Sequence, residues 1–292
     1  MAGPGPSYTG RFAPTPSGKL HLGSLVAALG SFLDARQRGG RWLMRIEDLD
    51  APRVVAGSAE EILRLLEAFG LLWDGAVVRQ SERTELYHEA LASLLSRGLT
   101  FACSCSRRAH AGVGGRYPGT CRNGPTRPGP TAVRFRVDDG ASVCFDDRIQ
   151  GRCEFRLGAL GDVVVRRRDG LPAYQLAVVV DDAAQGVTDV VRGADLLSST
   201  GWQIALARAL GLPAVTYAHL PLVVEPDGRK LAKSRRSVPV DPRERGPWLL
   251  EALRLLNQAP PPALAREAAP TILAWGVAHW DIERLHGIRS VR

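Results

Sequence analysis

Strand and helix signals alternate over the first hundred residues with short connections between them, and few architectures accept that order. Thr9–Ala13 reads as a short strand that runs into the loop Pro14-Thr15-Pro16-Ser17-Gly18. A helix is predicted from about Ser24 to Arg38, with Leu25, Ala28, Leu29, Phe32 and Leu33 at helical spacing and Gly39 as its stop. Arg41–Glu47 reads as a second strand. The next helix is expected to open on a capping box, Ser58 with Glu61, and to bury Ile62, Leu65, Leu66 and Phe69. A third helix is predicted from about Ser81 to Arg97. This order is that of a parallel sheet covered by helices.

Residues 101–171 break the rhythm. They are rich in Cys, Gly, Pro and Arg, with short alternating strands predicted at Ala132–Val137 and Asp162–Arg167. They read as an insertion with its own irregular structure. The buried-sheet style then returns: Leu176–Val180 is predicted as a continuous apolar strand, Thr188–Arg192 as another, and Thr200–Leu210 as a helix. After Ser237 the chain reads as helical and punctuated by proline. The expected division is a core over 1–236, the insertion at about 101–171, and a small helical region over 237–292.

Composition narrows the function classes. Apolar residues make up 45% and charged residues 23% of 292 positions, which excludes disordered, collagen-like and coiled-coil chains. The longest uncharged stretch, Ala209–Val224, has 16 residues and two prolines, so no membrane span is expected. The first residues lack a basic start followed by an apolar run, so no export signal is expected either. Five cysteines, an odd number, then suggest reduced thiols or metal ligands in a cytoplasmic protein. The net charge of +8 is compatible with nucleic acid, although an arginine-rich coding bias gives the same excess. Lysine is nearly absent: only Lys19, Lys230 and Lys233 occur.

Two distant segments carry chemistry. In Gly10–Ser24 a histidine, His21, and the glycines Gly18 and Gly23 lie between a strand and a helix start, where free N–H groups and a partial positive charge attract phosphate. In Lys230-Leu231-Ala232-Lys233-Ser234, two lysines and a serine on a loop can neutralise charge that builds on a transferring triphosphate. Alone, the first also suits a structural histidine and the second a solvated basic loop. Together, His21-Leu22-Gly23-Ser24 and Lys230–Ser234 resemble the paired HIGH and KMSKS motifs of class I aminoacyl-tRNA synthetases. Arg11–Gly18, Gly39-Gly40-Arg41, Arg45–Asp50, Val179–Asp182, Val191-Arg192-Gly193 and Ser198-Ser199-Thr200 extend the resemblance to the glutamyl-tRNA synthetase catalytic core, over roughly residues 8–236. A Rossmann-like, doubly wound α/β fold follows from it. Neither a Walker A motif nor G-x-G-x-x-G occurs.

Two further features resemble a narrower family, the glutamyl-Q tRNA(Asp) synthetases. One is Cys103-x-Cys105-x11-Tyr117-x3-Cys121; the other is Ala173–Thr188. Only 58 residues follow Ser234, too few for the anticodon-binding domain of a complete glutamyl-tRNA synthetase. The resemblance implies activation of L-glutamate by ATP to glutamyl-adenylate, then transfer to the queuosine base in the tRNA(Asp) anticodon arm by a ligase acting as a monomer. It implies that Arg11, Phe12, Ala13, Pro14, Thr15, Glu47, Tyr174 and Arg192 bind glutamate. Guanidinium forks suit the extra carboxylate, and Glu47 at a strand end suits the α-ammonium. His21, Gly23, Lys230, Lys233 and Ser234 would serve ATP, with His21 and Lys233 catalytic and Mg²⁺ bridging the phosphates.

From spacing alone, Cys103, Cys105, Tyr117 and Cys121 leave zinc open, since C-x-C is tight and tyrosine a rare ligand; the resemblance favours a structural Zn²⁺. Cys144 and Cys153 match no ligand position. The family's pattern is broken at Ala232 and at Gly201-Trp202, where an altered helix start is expected. The competing readings are a truncated glutamyl-tRNA synthetase charging the tRNA 3′ end and a zinc- and RNA-binding paralogue without chemistry.

Overall fold

Two half-sheets, one from the start of the chain and one from its middle, meet at one seam. The computed structural model describes residues 8–106, 116–224 and 239–292. Strand β1 (Thr9–Phe12) is buried along its length and leads into helix α1 (Leu22–Gln37), which returns to β2 (Arg41–Ile46). Thr9, Gly10, Arg11 and Phe12 pair in parallel with Arg41, Trp42, Leu43 and Met44, the expected βαβ unit. Gly39, at φ +63°, turns the chain at the helix end, and a Cβ on Gly40 would lie 2.6 Å from Tyr8 O. Helix α2 (Ser58–Ala68), strand β3 (Val78–Arg79) and helix α3 (Thr84–Ser96) follow.

The middle of the chain serves two sheets. Strands β4 (Thr100–Cys103), β5 (Ala132–Phe135) and β8 (Val163–Arg166) form a separate antiparallel sheet in the order β4-β5-β8. The hairpin of β6 (Ser142–Asp147) and β7 (Gly151–Arg156) does not share that sheet. With β9 (Asp189–Gly193) and β10 (Thr216–Leu220) it forms a second sheet in the order β7-β6-β10-β9, so part of the expected insertion belongs to the core layer. Short helix α4 (Leu157–Leu160), then α5 (Tyr174–Ala184) and α6 (Leu197–Leu210), cover it. Thr188 N–H donates to Thr9 O at 2.9 Å, and Thr9 N–H donates to Thr188 Oγ1 at 2.9 Å. The two half-sheets therefore meet where β1 lies beside β9. The crevice beyond the carboxyl ends of such strands is where doubly wound sheets bind ligands.

The C-terminal region finishes the core. Helices α7 (Arg245–Leu255) and α8 (Ala269–His279) pack on α1, whose Leu25, Ala28, Leu29, Phe32 and Leu33 are all buried. Short strands β11 (Leu222–Val223) and β12 (Ser290–Val291) pair in parallel and tie the last residues to the second half-sheet's exit. Inside this layer Asp34 accepts two bonds from Arg148, at 2.6 and 2.7 Å, and one each from Tyr8 and Trp280. Burial opposes its charge, but the Arg148 guanidinium holds its carboxyl below the usual range. Among the described residues no helix is long and apolar enough to cross a membrane.

Three expectations change. Leu176–Val180 is not a strand but the middle of α5. Every residue from Leu176 to Asp182 is buried because α5 is wedged between α3, α6 and β8. A helix covered all round writes the same unbroken apolar run as a core strand. The capping box at Ser58 is absent: Gly57, at φ +76°, holds the cap position. Ser58 Oγ instead donates to Gly18 O at 2.7 Å and accepts from Gly18 N–H at 3.1 Å, fastening the glycine loop to α2. Gly201-Trp202 does not disturb α6, which runs through it. A Cβ on Gly201 would lie 2.9 Å from Leu160 Cδ1 and 3.0 Å from Phe155 Cβ, so glycine lets the helix sit down on β7.

Candidate functional site

At the seam the chain leaves β1 through Ala13, Pro14 and Thr15, all half-buried, and returns at His21, the residue that caps α1. Glu47 N–H donates to Pro14 O at 3.0 Å, so the loop is docked on the end of β2. Thr15 lines two cavities, one on each side. The smaller, about 400 Å³, is bounded by Gly18, His21 and Gly23 on one wall and by Gly193 and Asp195 at the end of β9 on the other. A Cβ on Gly23 would meet nothing within 4 Å, so the helix start faces open space. Phe12, stacked on Trp42, closes the cavity floor. A helix N-terminus with an exposed histidine and bare glycine is suited to phosphate.

The larger cavity, about 890 Å³, holds Glu47 and Tyr174 at its inner end and reaches Cys105, Tyr117 and Trp202 at its outer end. Arg11 and Arg192 do not line it; both are buried beneath, where their charges act on the Tyr174 phenol together with that of Glu47. Burial and the Glu47 charge push that phenol up, and the two arginines oppose the shift. The Glu47 carboxyl is likewise pushed up by burial, against the pull of Arg45 and Arg11. Arg11, Glu47, Tyr174 and Arg192 are thus brought to one place.

The two arginines differ in company. Arg11 Nε and Nη2 donate to Asp182 Oδ1 and Oδ2 at 3.1 and 3.3 Å. Arg45, fully buried, lies 2.8 Å from Asp182, 3.4 Å from Glu47 and 3.8 Å from Asp181. Asp181 also accepts from Arg83 at 2.6 Å, Tyr87 at 2.7 Å and Gln80 at 2.8 Å. Three guanidiniums (Arg11, Arg45, Arg83) face three carboxylates (Glu47, Asp181, Asp182) in this cluster. Burial opposes the Asp182 charge, but Arg11 and Arg45 hold its carboxyl below the usual range. Arg192, 5% exposed, has no carboxylate within ion-pair distance among the described residues. Its Nε donates to His219 Nε2 at 3.1 Å and its Nη2 to Thr200 Oγ1 at 2.8 Å.

In the sequence Arg45, Asp181, Asp182 and Thr200 stand only as parts of motifs, and Asp147 and His219 belong to none. The available signal was polarity out of place: an arginine inside the apolar strand Trp42–Ile46 and two aspartates after a five-residue apolar run. Lys230, Lys233 and Ser234 lie outside the described residues.

The cysteines of β4 and of the loop before β5 converge at the far end of the larger cavity. The Sγ atoms of Cys103, Cys105 and Cys121 all lie within 4.8 Å of one another. Tyr117 OH is 3.5 Å from Cys103 Sγ and accepts from Cys121 N–H at 2.7 Å. Arg134 covers the Tyr117 ring at 3.8 Å and donates to Cys103 Sγ at 3.3 Å. Burial and its thiol neighbours push Cys105 up to about 11. Cys121 is drawn down to about 5: hydrogen bonds from Ser104, Thr126, Tyr117 and Cys105 outweigh its burial. Three thiols at this spacing fit one tetrahedral ion of the Zn²⁺ type. Cys144, exposed, and Cys153 sit on β6 and β7, away from this cluster.

Residues 8–110 and 116–255 match the family model described as tRNA synthetases class I (E and Q), catalytic domain. The glutamyl-Q tRNA(Asp) synthetase of Ectopseudomonas mendocina is 55% identical over 286 residues, covering 98% of this chain and 97% of that protein. That of Pseudomonas syringae pv. syringae is 53% identical over 287 residues, with the same coverage. Among solved structures, a glutamate tRNA ligase from Elizabethkingia meningosepticum, in complex with its amino acid, superposes with a TM-score of 0.80 at 25% identity. The match covers 97% of this chain but 66% of that one, so this chain spans about two thirds of the ligase's length. The glutamate-tRNA synthetase of Elizabethkingia anophelis shares the fold, with a TM-score of 0.81 at 24% identity.

Proposed function

Because the chain belongs to the class I tRNA synthetases of the glutamate and glutamine branch, with glutamyl-Q tRNA(Asp) synthetases as relatives along nearly its whole length, we propose that it activates glutamate with ATP and transfers it to queuosine in the anticodon of tRNA(Asp). An α-carboxylate oxygen of glutamate attacks the α-phosphorus of ATP, and pyrophosphate leaves. A hydroxyl of the queuosine base then attacks the glutamyl carbonyl, and AMP leaves.

The observation that carries the amino-acid assignment is the buried Arg192 guanidinium, whose partners His219 and Thr200 include no carboxylate. A buried cation without a counter-ion is costly, and a substrate carboxylate supplies one. Arg192 takes the glutamate side-chain carboxylate. Arg11, its charge already answered by Asp182, adds a directional contact. Glu47 takes the α-ammonium, Tyr174 closes the pocket, and the Phe12–Thr15 loop separates glutamate from nucleotide. His21, Gly23 and the α1 N-terminus bind the ATP phosphates, with Lys230, Lys233 and Ser234 completing the site and Mg²⁺ accompanying the triphosphate.

Cys103, Cys105, Cys121 and Tyr117 would hold Zn²⁺, which when bound cross-links a segment rich in glycine and proline. Of these, Cys105 and Tyr117 line the larger cavity, the space that would receive the nucleobase. The enzyme is a cytoplasmic monomer, with its chemistry in the core over 1–236 and the helices of 237–292 buttressing α1.

The test is transfer of labelled glutamate to tRNA(Asp) with and without queuosine, using periodate-oxidised 3′ ends. Acceptance by oxidised, queuosine-containing tRNA is expected. Acceptance that requires an intact 3′ end would identify an ordinary glutamyl-tRNA synthetase, and absence of glutamate-driven ATP–pyrophosphate exchange would leave a binding protein.

A further inference from the structure

The neutral contact on Arg192 is itself built. His219 on β10 and Arg192 on β9 are register partners in the parallel ladder, and both side chains are buried. His219 Nδ1 lies 2.6 Å from Asp147 Oδ2, while Nε2 lies 3.1 Å from Arg192 Nε. Asp147 ends β6, on the other side of β10, and cannot swing. Its Oδ1 accepts from the backbone N–H groups of Ile149, Gln150 and His219 at 3.0, 2.8 and 3.1 Å. Burial opposes its charge, but these bonds and His219 keep its carboxyl below the usual range.

A carboxylate accepts only, so the shared proton sits on Nδ1, and Nε2 is left as a lone pair aimed at Arg192 Nε–H. Burial and the nearby Arg192 charge both act against a second proton on the ring, outweighing Asp147. Thr200 Oγ1 accepts from Arg192 Nη2 at 2.8 Å, and its own proton has two acceptors, the same His219 Nε2 lone pair 3.1 Å away and Leu196 O 3.3 Å away. The guanidinium is therefore gripped at two nitrogens by groups that accept hydrogen bonds without neutralising it.

We infer that Asp147 and His219 are positioning residues that fix the Arg192 fork and keep its charge unanswered, so that the site prefers a carboxylate over an amide at the end of the amino-acid side chain. Direct pairing of Arg192 with an acid would orient it as well but would quench the charge that separates glutamate from glutamine. Routing the negative charge through a neutral imidazole holds the geometry and leaves the cation available. This rests on the assignment of Arg192 to the substrate side chain.

Two variants separate positioning from packing. In His219→Gln the side-chain amide oxygen reaches the place of Nε2 and can still accept from Arg192. In His219→Asn the amide reaches only the place of Nδ1, so Asp147 keeps a partner and Arg192 loses one. Loss of a hydrogen bond to a charged group predicts that His219→Asn raises the glutamate KM in ATP–pyrophosphate exchange about tenfold and lowers glutamate-over-glutamine preference similarly. Its ATP KM is expected to stay unchanged and kcat to stay within about threefold, and His219→Gln is expected to restore the glutamate KM to within about threefold. Equal effects of the two variants, or parallel rises in glutamate and ATP KM, would overturn the inference.

A second measurement needs no variant. Long-range ¹⁵N–¹H spectra of the wild-type protein at pH 7 are expected to show His219 neutral with its proton on Nδ1, and a proton on Nε2 would overturn the inference. Failure of the underlying reading looks different: Arg192→Met would then leave the glutamate KM of the exchange reaction unchanged.

Discussion

Two buried arginine neighbourhoods lie beside the cavity that holds Glu47 and Tyr174, and they differ in how their charge is answered. Around Arg11 and Arg45, three guanidiniums meet three carboxylates, and the cluster joins β1, β2, α3 and α5. Around Arg192, one guanidinium meets a histidine and a threonine. The first arrangement holds elements together and balances its charges internally. The second, on the proposed function, spends stability on a charge that becomes useful when an anion arrives. Burial and polarity alone do not separate scaffold from reader; the charge count of the neighbourhood does.

The comparison can be broken by substitutions on each side. Asp182→Ala removes a shared partner of Arg11 and Arg45 and is expected to cost about 3–5 kcal/mol of stability, read by denaturant unfolding. Because its carboxyl is held below the ordinary range, the contribution of Asp182 is fully present above its unfolded pKa of about 3.9 and is lost as pH falls through the folded value. Arg192→Met has the opposite profile. It is expected to raise the glutamate KM about 100-fold or more, equivalent to about 2.7 kcal/mol, while leaving the unfolding midpoint equal or higher. Stability loss in both variants, or binding loss in both without stability loss, would erase the distinction.

Acid sharpens it further. Glu47 must be ionised to hold an ammonium, and burial raises its pKa, so glutamate binding should weaken as pH falls, beginning above the ordinary glutamate pKa of about 4.3. The glutamate KM measured across pH, with Glu47→Gln as a control lacking this inflection, checks it. Metal removal should touch neither arginine neighbourhood. A chelator is expected to expose Cys103, Cys105 and Cys121 to thiol reagents and to lower transfer to RNA, while glutamate-driven exchange stays within about twofold.

Much of this architecture was legible in the sequence, and the exceptions share a cause. Helix α1 carries clear apolar periodicity and is stopped by Gly39, so its type and extent follow from local pattern, and β1 and β2 take their places on either side of it. Helix α5 looks like a strand in the sequence because burial on all sides removes the periodicity that separates the two. Ser58 carried a capping signature, but its hydroxyl is engaged by Gly18, forty residues earlier, a contact that local pattern does not contain. Resemblance directed attention to Glu47, Tyr174 and Arg192, which the structure brings together. Asp147 and His219 gave no signal, because each is a single polar residue in a different strand and only the strand order β6-β10-β9 makes them neighbours of Arg192.

The most direct test is calorimetric titration of the wild-type protein with glutamate and with glutamine under identical conditions. An unanswered Arg192 predicts glutamate binding at least about 100-fold tighter, with the advantage abolished in Arg192→Met. Equal affinity for the two amino acids, or a glutamate advantage that survives in Arg192→Met, would contradict the account.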